Sequence, residues 1–494
     1  MSPAQHGRLA HHTAERRWPV LVVVAAVIVV VGVVAGSRGS STPSRASAVP
    51  TALVSPPDAE SSTWYCAGQT TASGPAAGLL VLSNTTARAV VAEVTSVSDS
   101  GAEVHSAVPV PARGVIAPSL PNVASGSWQA DTVAVAGGGV AVSQAVHGSA
   151  GWSVAPCQSS TSAHWYFPDG STNGSNALDI ALLNPTSSPV VVDLKFDTPT
   201  GPVQPINYQG VVLGAGAVLV EDVGSEVQQA APVSTVVTAR TGRVVASELQ
   251  TFVGPSSGLS IVTGLTQPER RWSIPQAEEV AGGGSDIGVF NPGQVPEAVS
   301  VHLRLASGPL APLTNTVAPG ATWSLQTSTQ TRIPVGAPYS AEVTATGGPG
   351  VVVSRYVSAP GSAPAPQVGL ATAVDALTTA TPASEWLVPP PGTAGNLAVS
   401  GAAPQSLAVV NLSRARQSFR AFAIAPGRQR LVAAGVLEPG ATARISGATL
   451  SAAGLEPIVV RGAGPLAVSE DLAPSGIVGA ATMPGLPMAA PIGL

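Results

Sequence analysis

Few residues in this 494-residue chain are of a kind and spacing that could do chemistry. The two cysteines, Cys66 and Cys157, have neither a histidine nor an acidic cluster beside them, which argues against a metal-bound or catalytic thiol. In an oxidising compartment such a pair is expected to form a disulfide. The stretch "DGSTNGSN" (Asp169 to Asn176) sets Asp169, Ser171 and Asn173 at alternating positions, with Gly174 at the turn, as a calcium loop does. Its twelfth position is Ile180, so the closing bidentate carboxylate is missing and a polar hairpin turn accounts for the same residues. Glu248, or Glu470 with Asp471, could serve as the acid and base of a glycosidase. The equivalent positions elsewhere hold Gln144 and Arg355, and the carboxylates read as exposed strand residues. No nucleophile elbow, HExxH, phosphate loop or dinucleotide fingerprint occurs. His105, His147 and His164 lack ligand spacing, and His302 falls on the solvent face of its strand. The chemistry-bearing residues therefore predict no catalytic site, no cofactor and no metal. The alternative is an anchored cell-wall hydrolase whose site is assembled across distant segments.

The elements that position these residues are legible in the composition. Charged residues make up 10% of the chain, and Lys195 is its sole lysine. Such a surface cannot neutralise a run of phosphates, which excludes nucleic-acid binding. Glycine (53) and proline (46) are abundant and the apolar residues are mostly Val and Ala, a composition of short strands and turns.

The N-terminus sets the compartment. Arg16 and Arg17 precede "VLVVVAAVIVVVGVVA" (Val20 to Ala35), which Trp18 and Pro19 extend. At 1.5 Å per residue the run reaches roughly 27 Å, enough for the hydrocarbon core of a bilayer. The positive-inside rule then places residues 1–17 in the cytoplasm, a transmembrane helix over 18–36, and the rest outside the cell membrane in a single-pass arrangement. A cleaved signal peptide is the competing reading, with "ASA" (Ala46 to Ala48) as its site. Residues 37–61 form a Ser/Pro/Ala linker.

The remainder repeats itself. Trp64, Trp165, Trp272 and Trp386 open four segments spaced by 101, 107 and 114 residues, each long enough for a small domain. After every Trp an apolar strand ends in Asn: Asn84, Asn184, Asn291 and Asn411. Asn suits the turn that follows, because its side chain bonds backbone two residues on. The next strand alternates, as in "PVVVDLKFD", where Val190, Val192, Leu194 and Phe196 share one face. A Gly turn ("LGAGA", "APGAT", "EPGAT") and a Val-rich strand ("GVAVSQ", "RVVASE", "GVVVSR", "PLAVSE") complete the unit, with Ser143, Ser247, Ser354 and Ser469 equivalent. These serines read as residues of a polar face.

The landmarks predict β-sandwich repeats over 62–160, 163–266, 270–380 and 384–494, each immunoglobulin-like with about seven strands. The whole is all-β, tandem sandwiches after one N-terminal transmembrane helix. A closed propeller-like arrangement is the alternative, since the terminal "LPMAAPIGL" echoes a Trp-bearing segment and could close a ring. Units of this length are large for propeller blades of four strands.

The pattern "WYFPDG…ALDIALLNPTSSPVVVDLKF…GAGA…VVASE" resembles the roughly hundred-residue repeats of an actinobacterial family of unknown function, found in membrane-anchored envelope proteins. The second copy matches best. The first and fourth depart, with Cys66 in place of the third aromatic and no proline after Asn84 or Asn411. The resemblance implies a non-catalytic extracytoplasmic β module and carries no catalytic residues to this chain. The expected partners are the cytoplasmic membrane, through the N-terminal helix, and an envelope protein or cell-wall glycan.

Overall fold

In the computed structural model, described over residues 52–253, 257–279, 284–359, 367–371, 383–390, 406–451, 456–472 and 481–490, nearly all regular structure is strand. One short helix, Gly447–Ser451, and three single 3-10 turns are the exceptions among the described residues. The apolar segment 18–36 lies outside the described residues, and among those described no helix is long and apolar enough to cross a membrane. The Pro/Ala-rich stretch after Ser358 is largely outside them too.

The second repeat shows the plan. One sheet runs in the order Val218–Asp222, Ala177–Leu183, Val245–Phe252, Gly258–Thr263. The other runs Gly201–Val203, Val190–Thr198, Val233–Thr241, His164–Gly170, with Val211–Leu213 added beside Val190–Thr198. Val190, Val192, Leu194 and Phe196 are buried between the sheets, while Val191, Asp193 and Lys195 point outward, as the period-two pattern requires. Repeats three and four have the same two-sheet plan. In the first, a parallel bridge between Thr70 and Ala77 joins the two into one eight-stranded sheet. Among the described residues the strands number eight in the first repeat and nine in each of the others, more than the seven expected. The additions are short hairpin pieces such as Gly201–Val203 and the second strand of a hairpin that ends each unit.

Trp64, Trp165 and Trp272 lie between the sheets of their own repeats, and each indole N–H donates to a carbonyl three residues before the equivalent serine. The acceptors are Val140 (3.1 Å), Val244 (3.0 Å) and Val351 (2.8 Å). Each ring thus fills the core and ties one sheet to the other. Trp386 is buried likewise but donates to Ala383, 3.2 Å away. The four asparagines are fully buried. Each side-chain oxygen accepts the backbone N–H two residues on, that of Thr86, Thr186, Gly293 or Ser413, at 2.8 to 3.0 Å.

The repeats are not separate beads. All described residues belong to one compact unit, Ala48–Leu494. Within it the second strand of the hairpin near the end of each repeat packs on its counterpart in the next: Gly151–Pro156 on Gly258–Thr263, then Gln367–Ala371, then Ala481–Pro484. Ala481–Pro484 returns to Gly151–Pro156, with Leu472, Ala481 and Met483 of the fourth repeat against Ala145, Trp152 and Val154 of the first. The ends of the unit meet as well. Leu486–Pro487 pairs with Trp386 and Leu387, and Val54 donates its N–H to Pro487 and accepts from Ala489, both at 3.0 Å. The contacts therefore run in a closed circle, as in the alternative arrangement, although repeats two to four each have two facing sheets where a propeller blade has one.

Candidate functional site: the polar junctions between repeats

In the first three repeats the strand that carries the Trp contains a β-bulge. The register slips between Cys66 and Gln69, between Phe167 and Gly170 (opposite Thr235 and Val233), and between Ile274 and Ala277. An extra residue in one strand re-aims a side chain, and here it turns the fourth residue after the Trp toward the next repeat. That residue is Gly68, Asp169 or Gln276. Gly68 has φ +92°, and a Cβ there would come within 3.3 Å of Ser247 Cβ, so glycine allows the first two repeats to approach. Asp169 takes a positive φ of 71° and accepts from Ser324 of the third repeat at 3.3 Å. Gln276 donates to the Ser406 carbonyl at 3.2 Å and accepts from the Ser406 hydroxyl at 2.9 Å, in the fourth repeat.

Ser143, Ser247, Ser354 and Ser469 are correspondingly buried, which corrects the expectation of a solvent-facing polar row. Three of them line junctions: Ser247 beside Gly68, Ser354 beside Gly288 and Asp169, Ser469 beside Gln276. A small residue there leaves room for the bulge of the preceding repeat.

The residues after these serines correct a second expectation. Gln144, Glu248, Arg355 and Glu470 are 0%, 1%, 1% and 0% exposed. They lie on the same strand face as the core residues Val142, Ala246, Val353 and Val468, so they point inward. Gln144 donates to the Ala67 carbonyl at 3.0 Å. Arg355 donates to the Gln276 carbonyl and forms an ion pair with Asp471 of the fourth repeat. Glu248 Oε2 and both carboxyl oxygens of Glu470 have no hydrogen-bond partner among the described residues. Burial lifts Glu248 to about 8, helped by the nearby Asp169 charge, and burial with the Asp471 charge holds Glu470 well above the usual range.

A band of acids extends across the junction of repeats two and three. Burial raises Asp169 to about 7, against the Ser324 hydrogen bond and with Asp286 adding to the rise. Burial likewise raises Asp286 to about 6, with the Thr327 N–H opposing it and the Glu279 charge adding to it. Glu279 accepts from Thr327 and, at 3.3 Å, from the hydroxyl of Tyr339. The Tyr356 phenol, pushed upward by burial and then by Asp286 and Asp169, packs edge-on against Phe252 of the second repeat. Glu248, at about 8, keeps its proton at neutral pH, while Asp169, at about 7, exchanges its proton near neutrality. The carboxyls are enclosed where repeats pack and do not face an open groove.

Asp169 is turned to the third repeat, while Ser171 Oγ contacts Asn173 and Asn176, so the calcium-loop residues do not converge. Among the described residues no group of three or more His, Cys, Asp or Glu side chains has the geometry for a metal ion. The inward turn of Asp169 and Glu248 escaped sequence reasoning. Its only trace was a charged residue after Pro168 in an otherwise apolar first strand.

Cys66 and Cys157 are joined by a disulfide with Cα atoms 4.8 Å apart, both fully buried. The bridge fastens the first Trp strand to the segment where Gln158 enters the next junction, donating to the Ala246 carbonyl at 3.0 Å. Closing a loop of 91 residues restricts the unfolded chain by about 4 to 5 kcal/mol at most. Peptide mapping without reductant should recover the linked pair. The Cys66→Ala, Cys157→Ala double variant should lose up to that amount in denaturant unfolding, and unchanged stability would refute the assignment of weight to this bridge.

Residues 139–348 match the model of a family of unknown function, DUF5719. The match begins before the last hairpin of the first repeat and ends within the third, so it crosses two junctions. No curated protein matches the chain. Among solved structures, similarity extends to the Anabaena sensory rhodopsin transducer (16% identity, 18% of this chain, 85% of that chain, TM-score 0.16). It also extends to a tetra-tandem repeat from the extending region of a large adhesion protein (10% identity, 86% of this chain, 99% of that chain, TM-score 0.12). Scores this low carry no argument about function.

Proposed function

We propose that the chain is a non-catalytic structural or binding protein of the cell envelope, held by an N-terminal transmembrane helix with its β body outside the cytoplasm. The observation that carries this reading is the buried Cys66–Cys157 disulfide, a bond that persists in oxidising compartments and is rare in the cytosol. The apolar run behind Arg16 and Arg17 supports the same placement. Two facing antiparallel sheets with a buried Trp between them favour an immunoglobulin-like sandwich for each of repeats two to four. The enclosed state of Glu248 and Glu470 favours a binding or structural role over hydrolysis, because a glycosidase needs its two carboxyls on either side of a substrate groove.

Alkaline phosphatase fused after residue 60 should be active in intact cells, and phosphatase fused before residue 18 silent. The reverse pattern would overturn the orientation. Release of a shortened soluble form on fractionation would instead support a cleaved signal peptide.

A further inference from the structure

The four junctions are built on equivalent positions but are not chemically equivalent. The thirteenth residue after each landmark Asn sits opposite a residue three before the strand partner of that repeat's Trp. In the first three repeats these pairs are Val97 and Ala130, Asp197 and Ser234, Arg304 and Ser340. In the fourth, Ile424 bonds Pro457. At the first junction Val97 packs against an apolar cluster that joins Ala67 and Ala130 to Val218 and Val245 of the second repeat. Ile424 is buried in the core of the first repeat. At the junction of repeats two and three, Asp197 is buried and neutralised by Lys195 at 2.8 Å, and Ser234 and Thr322 close the seam with a 2.6 Å hydrogen bond.

The junction of repeats three and four differs at each of these points. Arg304 replaces Asp197 and His302 replaces Lys195, so the local ion pair becomes two basic side chains. Thr442, the counterpart of Thr322, has a buried hydroxyl without a hydrogen-bond partner among the described residues. Where the other seam is shut, two adjoining clefts of about 390 and 370 Å³ open, both lined by Arg304 and Ser340. Arg271 and Arg414 line the first and Arg444 the second. Arg271 is engaged by Glu342, and Arg444 by Glu278 at 2.7 Å. The side chains of Arg304 and Arg414 make no ion pair or hydrogen bond with any described residue. Two uncompensated guanidinium groups in one cleft stand out on a chain of net charge -5 with 22 basic residues.

We infer that this cleft is an oxyanion-binding site for a sugar-sized ligand bearing a phosphate or carboxylate group. Guanidinium forks match either oxyanion with paired, charge-assisted hydrogen bonds. The volume suits one sugar-sized unit, and Leu412, Pro309 and Pro439 in the walls supply apolar contact beside the charges. The inference goes beyond the envelope reading and is independent of it, because its test uses purified protein and added probes.

The full-length chain is titrated calorimetrically with inorganic phosphate, glucose 1-phosphate and glucuronate. Saturable one-to-one binding of at least one probe is expected, and the pattern among the three distinguishes phosphate from carboxylate preference. Arg304→Gln and Arg414→Gln should each weaken it about tenfold, the loss of one charge-assisted contact. Arg414 is on an exposed turn, so its variant tests the site without risk to the fold. Arg416→Gln removes the same charge from a residue paired with Glu438 outside the cleft and should leave affinity unchanged. Absence of saturable binding by all three probes, or equal weakening by Arg416→Gln and Arg304→Gln, would overturn the site.

Discussion

Replacing Trp165 by alanine should remove about 3 to 5 kcal/mol of stability, a large share of what a domain of this size possesses. The indole is fully buried between the two sheets of the second repeat and its N–H donates to Val244. Gly264 closes over the ring, since a Cβ there would lie 2.9 Å from it, so the site cannot collapse to fill the space. The damage should spread. Tyr166 exchanges both backbone hydrogen bonds with Leu265 and packs against the core of the third repeat, and Asp169 on the same strand enters the junction. Denaturant unfolding of the full chain should show one cooperative transition in the parent and a markedly lower midpoint in the variant. A midpoint shift worth less than about 1 kcal/mol would mean that this strand does not couple the sheets.

The body should also be more stable at mildly acid pH than at pH 9. Glu248 titrates near 4.5 when unfolded and near 8 in the fold, because burial and the Asp169 charge favour its neutral form. Below the unfolded value both states carry the proton and the stability is fully present. As pH rises from there through the folded value, the unfolded chain releases its proton first and the fold loses stability, with the loss complete above about pH 8. Asp169 and Asp179, both lifted to about 7 chiefly by burial, contribute in the same direction over a window beginning near 3.8. Thermal unfolding at pH 5.5 and pH 9 should differ by roughly 2 to 4 kcal/mol in total. Glu248→Gln should raise stability at pH 9 and flatten the profile. A profile that instead rises from pH 5.5 to 9, or a destabilised Gln variant at pH 9, would show that the carboxyl is charged and paired in the fold.

The spacing of Trp64, Trp165, Trp272 and Trp386, the Asn turns and the alternation in "PVVVDLKFD" define the repeat and its strand faces from sequence alone. They do so because each landmark acts locally or within one unit. A buried Trp must hydrogen-bond its N–H, an Asn caps a turn two residues away, and a strand alternates with period two wherever it is placed. Cys66 and Cys157 belong to the same class, since they were the only possible pair. The destination of the polar residues is of another kind. Alternation reports a residue as polar without saying whether water, a neighbouring repeat or a bulge receives it, so Ser247, Glu248 and Glu470 read as exposed when they are enclosed. Closure of the circle had one local sign, the terminal "LPMAAPIGL", but its partner was not legible, because it depends on Val54 meeting Pro487 across more than four hundred residues. The open arginine cleft arises the same way. Arg304 looks like any outward strand residue until the fourth repeat is laid against it, leaving its charge unpaired where Asp197 has Lys195.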